Sequence, residues 1–270
     1  MPLARKYRKP YRIKRKKSIF LNRFFGLGIL FLIILGLIFY FFIFHSTFQI
    51  KEIKISGTEK VAVEEIRNLI EKEIEQKILF FPTKSIFLVN SNKIKEGIFS
   101  KFPQISEINL KREYPNILIA EIEERKPAAI FNQNGEYFFI DKEGIIFEET
   151  PQFLENYLKI KNFLLKEKIK LGDKAIEKKT ISQILDIEKK LKEIDIKVKE
   201  FIIVSEERLN AKTSEGWEIY FNPKEDLNWQ ITELSLVLEK QIPPKKRKNL
   251  EYIDLRFSKI FYKYKEEESI

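Results

Sequence analysis

Twenty-one consecutive residues, Phe24 to Phe44, carry no charge, and ten basic residues precede them with no acidic residue among them. The basic set is Arg5, Lys6, Arg8, Lys9, Arg12, Lys14, Arg15, Lys16, Lys17 and Arg23. At about 1.5 Å rise per residue the apolar run makes a helix of roughly 31 Å, enough to cross a hydrocarbon core. A single segment in lipid satisfies its own backbone polar groups only as a helix, so the pattern predicts a membrane span. A cleaved signal peptide would have an apolar region of about 7–15 residues and then a small-residue cleavage site. Ile43-Phe44-His45-Ser46-Thr47-Phe48 offers no such site. A buried core helix of this length, apolar on every side, does not suit a small soluble domain. Basic residues stay on the cytoplasmic side, which predicts residues 1–23 inside, 24–44 in the bilayer and the rest outside.

The formal charge of +10 resides entirely in residues 1–23, and the remainder holds equal numbers of basic and acidic side chains. A neutral outer part has no global pull on phosphate backbones, so no nucleic-acid partner is expected. The tail suits anionic lipid, where each basic residue near the surface contributes about 1 kcal/mol. It would serve equally as a plain topology signal. Cysteine is absent and His45 is the one histidine, which excludes disulfides, thiolate sites, histidine triads and multi-histidine metal sites. The nine glycines are scattered singly and form no phosphate loop. No cofactor is implied. Carboxylates fall in Glu/Lys stripes that suit exposed helix faces, and their spacing nominates no catalytic pair.

Residues 47–125 read as strand, helix, helix, strand, strand, a sheet with helices on one face. The first strand is predicted over Phe48–Ile55, with Ile53 and Ile55 inward; the opposite phase of Phe48 and Ile50 requires a bulge or a later start. Ser56-Gly57-Thr58 gives a turn. Ala62 to about Gln76 follows as a helix with Ile66, Leu69, Ile70 and Ile74 on one face and Glu64 and Glu65 in its first turn. A second helix starts near Ser91, read as its N-cap, carries Ile94, Ile98 and Phe102, and stops at Pro103. Ile108 and Leu110 alternate in the next strand, and Leu118, Ala120 and Ile122 in the last, joined by Tyr114-Pro115-Asn116. Pro127 ends the path, and Glu124 and Arg125 are placed to form ion pairs at the junction or to stay as solvated charge.

Residues 126–264 predict a mixed β-sheet with flanking helices, followed by a short tail at 265–270. Tyr137 to Phe147 reads as a hairpin, with Asp141-Lys142-Glu143-Gly144 as its turn and Gly144 supplying positive φ. Leu158–Leu164 is a further strand. Thr180–Ile194 is a helix with Ile181, Ile184, Leu185, Ile187 and Leu191 on its apolar face. Strands follow near Phe201–Val204, Leu209–Thr213 and Trp217–Phe221. Asp226 caps a helix carrying Leu227, Ile231, Leu234 and Leu238, which Pro243 and Pro244 end. Lys245 to Lys248 reads as a solvated basic loop. Leu250–Phe257 alternates as a strand with Ile253, Leu255 and Phe257 on one face and a pairable Asp254 and Arg256 on the other. Ile260–Tyr264 is the last strand.

Several of these residues carry a family likeness. Arg112, Tyr114-Pro115 and Glu124-Arg125-Lys126-Pro127-Ala128, then Asp141-x-x-Gly144-x-x-Phe147, then Asp254-Leu255-Arg256-Phe257 together resemble the bacterial division family FtsQ/DivIB. Tyr114 stands where many members carry tryptophan, and Asn222-Pro223 where many have a glycine-containing turn. The resemblance implies an α+β chain with an N-terminal transmembrane helix, a POTRA domain (βααββ) at 47–125 and a β domain at 126–264. It implies a non-enzymatic scaffold that binds FtsB/FtsL-like bitopic division proteins at the septum and helps control septal peptidoglycan synthesis. From its own residues the last strand, with Ile260, Phe261, Tyr262 and Tyr264, is either an edge that accepts a partner strand or a segment whose aromatics simply pack on Phe257 and its neighbours. An anchored cell-wall enzyme using carboxylates is the alternative. A transport module is a third, but it would need a membrane barrel that these residues do not encode.

Overall fold

The computed structural model describes residues 23–78, 80–150, 154 and 157–265. The basic tail before Arg23, with its expected lipid and topology roles, and the segment from 266 lie outside the described residues. Helix α1 spans Arg23–Phe44, and no side chain from Phe24 to Phe44 is buried. The chain then forms two compact units. One takes in α1 through Ile53, with Ile74–Val89 and Arg112–Leu118; the other holds Lys54–Glu73, Asn90–Lys111 and Ile119 onward.

Strand β1 is Glu52–Ser56, shorter than the pattern predicted. Ser46–Phe48 instead makes a 3₁₀ turn and Gln49 bridges Ser85, so the late start resolves the phase conflict at Phe48 and Ile50. Helix α2 is Val63–Ile74 and buries Ile66, Ile70 and Ile74, as its 3.6-residue spacing requires. Strands β2, Gln76–Ile78, and β3, Phe81–Thr83, form an antiparallel hairpin that the sequence reading did not contain. Helix α3 is Ser91–Lys101 and buries Ile94 and Ile98. Its cap is Asn90 rather than Ser91: Asn90 is extended and its side chain accepts from the Lys93 N–H, whereas Ser91 is already helical. Strands β4, Ile105–Glu113, and β5, Ile117–Glu124, complete a three-stranded sheet in the order β1-β5-β4.

The larger sheet begins with β6, Ala129–Gln133, β7, Glu136–Ile140, and β8, Ile146–Glu149. Strand β9 is Lys159–Asn162, shorter than predicted, because the Asn162 side chain accepts from the Leu164 N–H and turns the chain. Helix α4, Lys178–Glu193, leads to β10, Val198–Ser205, then β11, Arg208–Thr213, and β12, Glu218–Phe221. Helix α5, Leu227–Lys240, is capped by Asp226, whose carboxylate accepts the Asn228 and Trp229 N–H groups at 2.8 and 3.2 Å. The predicted basic loop contains a one-turn helix, α6, Pro244–Arg247, started by proline where the missing donor costs nothing. Strands β13, Leu250–Asp254, and β14, Phe261–Tyr264, follow.

These strands make a nine-stranded sheet in the order β14-β13-β12-β11-β10-β9-β6-β7-β8. It is mixed because β9 runs parallel to β6 and β10, and β12 runs parallel to β13. Parallel neighbours need a crossover, which α4 supplies between β9 and β10 and α5 between β12 and β13. The crossovers put Ile181, Ile184, Ile187, Leu191, Leu234 and Leu238 into one core with Phe131, Phe201, Trp217 and Phe221. Each such side chain stabilises the fold by roughly 1.5–3 kcal/mol relative to exposure. The result is the α+β architecture that the element order predicted, with β14 at one end of the sheet.

Candidate interaction surface

Among the described residues β14 has a strand neighbour on one side alone, β13. The pairing is antiparallel, with Ile253 opposite Tyr262 and Asp254 opposite Phe261. Side chains alternate across a strand, so Ile260, Tyr262 and Tyr264 share one phase and Phe261 and Lys263 the other. Ile260 and Tyr264 pack against the core, while Phe261 and Tyr262 are 53% and 40% exposed. The four predicted edge residues therefore divide: two anchor the strand and two remain on the surface.

The turn before β14 is shaped by the Asp254–Arg256 pair. Arg256 donates Nε to Asp254 Oδ1 at 2.9 Å and Nη2 to Oδ2 at 2.6 Å, a bidentate contact with a nearly buried carboxylate. Hydrogen bonding to Asp254 raises the Arg256 pKa further, against the effect of burial. The Arg256 N–H also bonds Asp254 Oδ1, which folds the chain back and ends β13 at Asp254. This corrects the predicted strand through Phe257. Leu255 is buried, but Phe257 is 53% exposed and meets Phe261 edge to face, with centroids 6.1 Å apart.

A row that the sequence reading missed crosses the strands beside this edge. The Arg208 guanidinium lies 4.3 Å from the Tyr220 ring centroid, Tyr220 stacks on Tyr252 at 5.0 Å, and Arg256 is 5.7 Å from Tyr220. Burial first, then the Glu218 charge, push the Tyr220 hydroxyl above its ordinary pKa. The signal was available: Ile219 and Phe221 alternate inward in β12, which leaves Tyr220 on the outer face.

The other motif residues are structural in their contacts. Arg112 donates Nη2 to the Val89 carbonyl at 2.7 Å. Tyr114 is exposed and stacks on Phe87, and Pro115 follows it in the β4–β5 turn. Among the described residues Glu124 forms no ion pair; it accepts the N–H groups of Glu59, Lys60 and Val61 at 2.8 to 3.0 Å. Partial burial alone would raise its pKa, but these bonds hold the carboxyl below the usual range. Arg125 does pair, through Nη1 to Asp141, and donates Nε to the Pro103 carbonyl. Asp141 meanwhile accepts the N–H groups of Glu143 and Ile145, both at 2.9 Å. Gly144 has φ +82°, and a Cβ there would lie 1.8 Å from the Ile176 carbonyl oxygen. Pro127 stands in the link between β5 and β6. No group of three or more His, Cys, Asp or Glu among the described residues is placed to hold a metal ion.

Known proteins align with both folded regions. The profile of "Cell division protein FtsQ/DivIB, C-terminal" matches residues 129–256, and that of the FtsQ-type POTRA domain matches 48–125. The chain is 30% identical over 101 residues to a cell division protein DivIB of Clostridium acetobutylicum, 37% of this chain and 37% of that protein. A DivIB of Clostridium tetani is 24% identical over 137 residues, 51% of this chain and 48% of the relative. A cell division protein FtsQ of Streptomyces bingchenggensis is 21% identical over 107 residues, 40% of this chain and 37% of the relative. The chain thus spans less than half the length of the curated relatives it matches.

Proposed function

Because this chain belongs to the FtsQ/DivIB family of cell division proteins, we propose that it is a membrane-anchored scaffold of the division machinery. In this reading α1 crosses the membrane once with the N-terminus in the cytoplasm, and both folded regions stand outside it at the septum. The chain carries no catalysis of its own. It holds FtsB/FtsL-like bitopic division proteins and so helps control septal peptidoglycan synthesis.

The observation that supports this reading is the position of β14. An unpaired edge strand presents backbone donors and acceptors that a partner strand can satisfy, while pockets beside it read the partner's side chains. Here the edge carries Phe261 and Tyr262 exposed, with Phe257 alongside, which are the large rigid surfaces that anchor interfaces. Strand addition also explains why so exposed an edge is tolerated: its natural partner covers it.

Proline at position 262 removes a backbone donor and so tests the mechanism directly. Full-length Tyr262→Pro protein should lose capture of the purified FtsB/FtsL-like partners, while circular dichroism and the thermal midpoint stay near the parent's. Unchanged partner affinity in a folded variant rejects strand addition. Peptidoglycan hydrolysis by the purified chain would reject the scaffold reading itself.

A further inference from the structure

The last turn of an α-helix leaves up to four carbonyls without partners, and in α1 these fall where the apolar run ends. Three of them are met by other groups. The Phe41 carbonyl accepts the His45 N–H at 3.0 Å, and the Phe42 carbonyl accepts Ser85 Oγ at 3.1 Å. The Ile43 carbonyl accepts both Thr83 Oγ1 at 2.7 Å and Gln49 Nε2 at 2.8 Å. Gln49 Oε1 in turn accepts the Lys84 N–H at 2.7 Å. Thr83 ends β3, so these bonds fasten the β2–β3 hairpin to the end of α1.

Aromatic rings reinforce the attachment. Phe48 lies 5.0 Å from Phe42, Phe87 lies 5.4 Å from Phe42, and Tyr114 stacks on Phe87 at 5.5 Å. On the hairpin, Phe81 meets Phe44 edge to face at 6.0 Å, yet is still 62% exposed. Phe80, at the hairpin turn, is 91% exposed. Two adjacent phenyl rings in water, one touching the last residue of a 21-residue uncharged helix, call for an apolar medium at that depth.

We propose that the β2–β3 hairpin is a membrane wedge: Phe80 and Phe81 seat at the headgroup–acyl boundary of the leaflet that the C-terminal end of α1 reaches. This rests on the reading of α1 as a span. The argument for lipid rather than protein is continuity. If Phe24–Phe44 fills the hydrocarbon, Phe44 marks its boundary, and a ring 6.0 Å from Phe44 lies at the same level. Apolar side chains at that level join the interface by burying area among acyl chains. Lys77, exposed and opposite Pro82 in the hairpin, supplies a cation at headgroup height.

The chain has no cysteine, so single introduced thiols report cleanly. Full-length Phe80→Cys, Lys77→Cys, Leu35→Cys and Glu225→Cys proteins are labelled with an environment-sensitive fluorophore in phosphatidylethanolamine–phosphatidylglycerol vesicles. Lys77→Cys keeps both phenyl rings, and Glu225 is an exposed site beside α5. The wedge predicts that labels at 80 and 77 shift to shorter wavelength, lose emission to a shallow spin-labelled lipid, and resist aqueous iodide. The label at 225 should show the reverse. Adding Phe80→Ser and Phe81→Ser to Lys77→Cys should abolish lipid quenching at 77. Quenching at 35 but at neither 80 nor 77 overturns the wedge and leaves the span standing. Absence at all three overturns both. Protection from iodide without lipid quenching puts a second polypeptide on the hairpin and also overturns the wedge.

Discussion

Glu124 shows how one side chain holds a loop that has no regular structure of its own. A single carboxylate gathers three consecutive N–H groups, from Glu59 to Val61, which precede α2 and would otherwise need water. Its lowered folded pKa fixes the sign of the pH response. The stabilisation is fully present above the unfolded carboxylate value, about 4.3, and fades as pH falls through the lower folded value. Glu124→Gln keeps an acceptor but not the charge. The variant should be less stable than the parent at neutral pH, and the gap should narrow as the solution is acidified below about pH 4.3, read by urea unfolding across that range. A constant gap would deny the charge any role. Neighbouring motif residues illustrate what sequence shows at this scale. Gly144 was legible because an Asp-x-x-Gly turn demands positive φ; the close approach of the Ile176 carbonyl was not, because it comes from 32 positions along the chain.

At the level of elements, the helices and most strands were legible, including four-residue ones such as β12 and β14, but one hairpin was not. Periodicity over three or four turns is redundant, so α2, α4 and α5 emerge within a few residues of their predicted bounds. The β2–β3 hairpin has three-residue strands and an apolar tip in place of an Asn-Gly signal, so no pattern announces it. The end of β13 was misplaced for a different reason: alternation continues to Phe257, but the local Asp254–Arg256 bond overrides it. Arg125 is a joint of the same kind. It ties the end of β5 to the turn between β7 and β8 through Asp141, with side chains only 12% and 6% exposed, and holds the α3–β4 link through Pro103. Removing one member of a nearly buried pair strands the other charge. Arg125→Ala should therefore lower unfolding stability by about 3 kcal/mol, and a double-mutant cycle with Asp141→Ala should show clear non-additivity. Additive losses would mean that the two side chains act independently.

On the scale of the whole chain, charge and apolarity are sharply segregated. All the excess positive charge precedes Phe24, and the uncharged run that follows is helical to Phe44. If that asymmetry sets topology, replacing the basic residues before Phe24 with glutamine should leave part of the population inverted. Protease protection of the folded regions in sealed vesicles measures this; uniform insertion of the variant would assign orientation to something else. Composition could not reveal how the end of the helix is joined to the hairpin. A flexible tether would let each side spin independently. Here the side chains of Gln49, Thr83 and Ser85 grip the final carbonyls of α1. Such a coupling transmits torque: a neighbour that rolls α1 about its axis within the bilayer must drag the hairpin rim through the same angle, so an event inside the lipid becomes mechanical news at its surface.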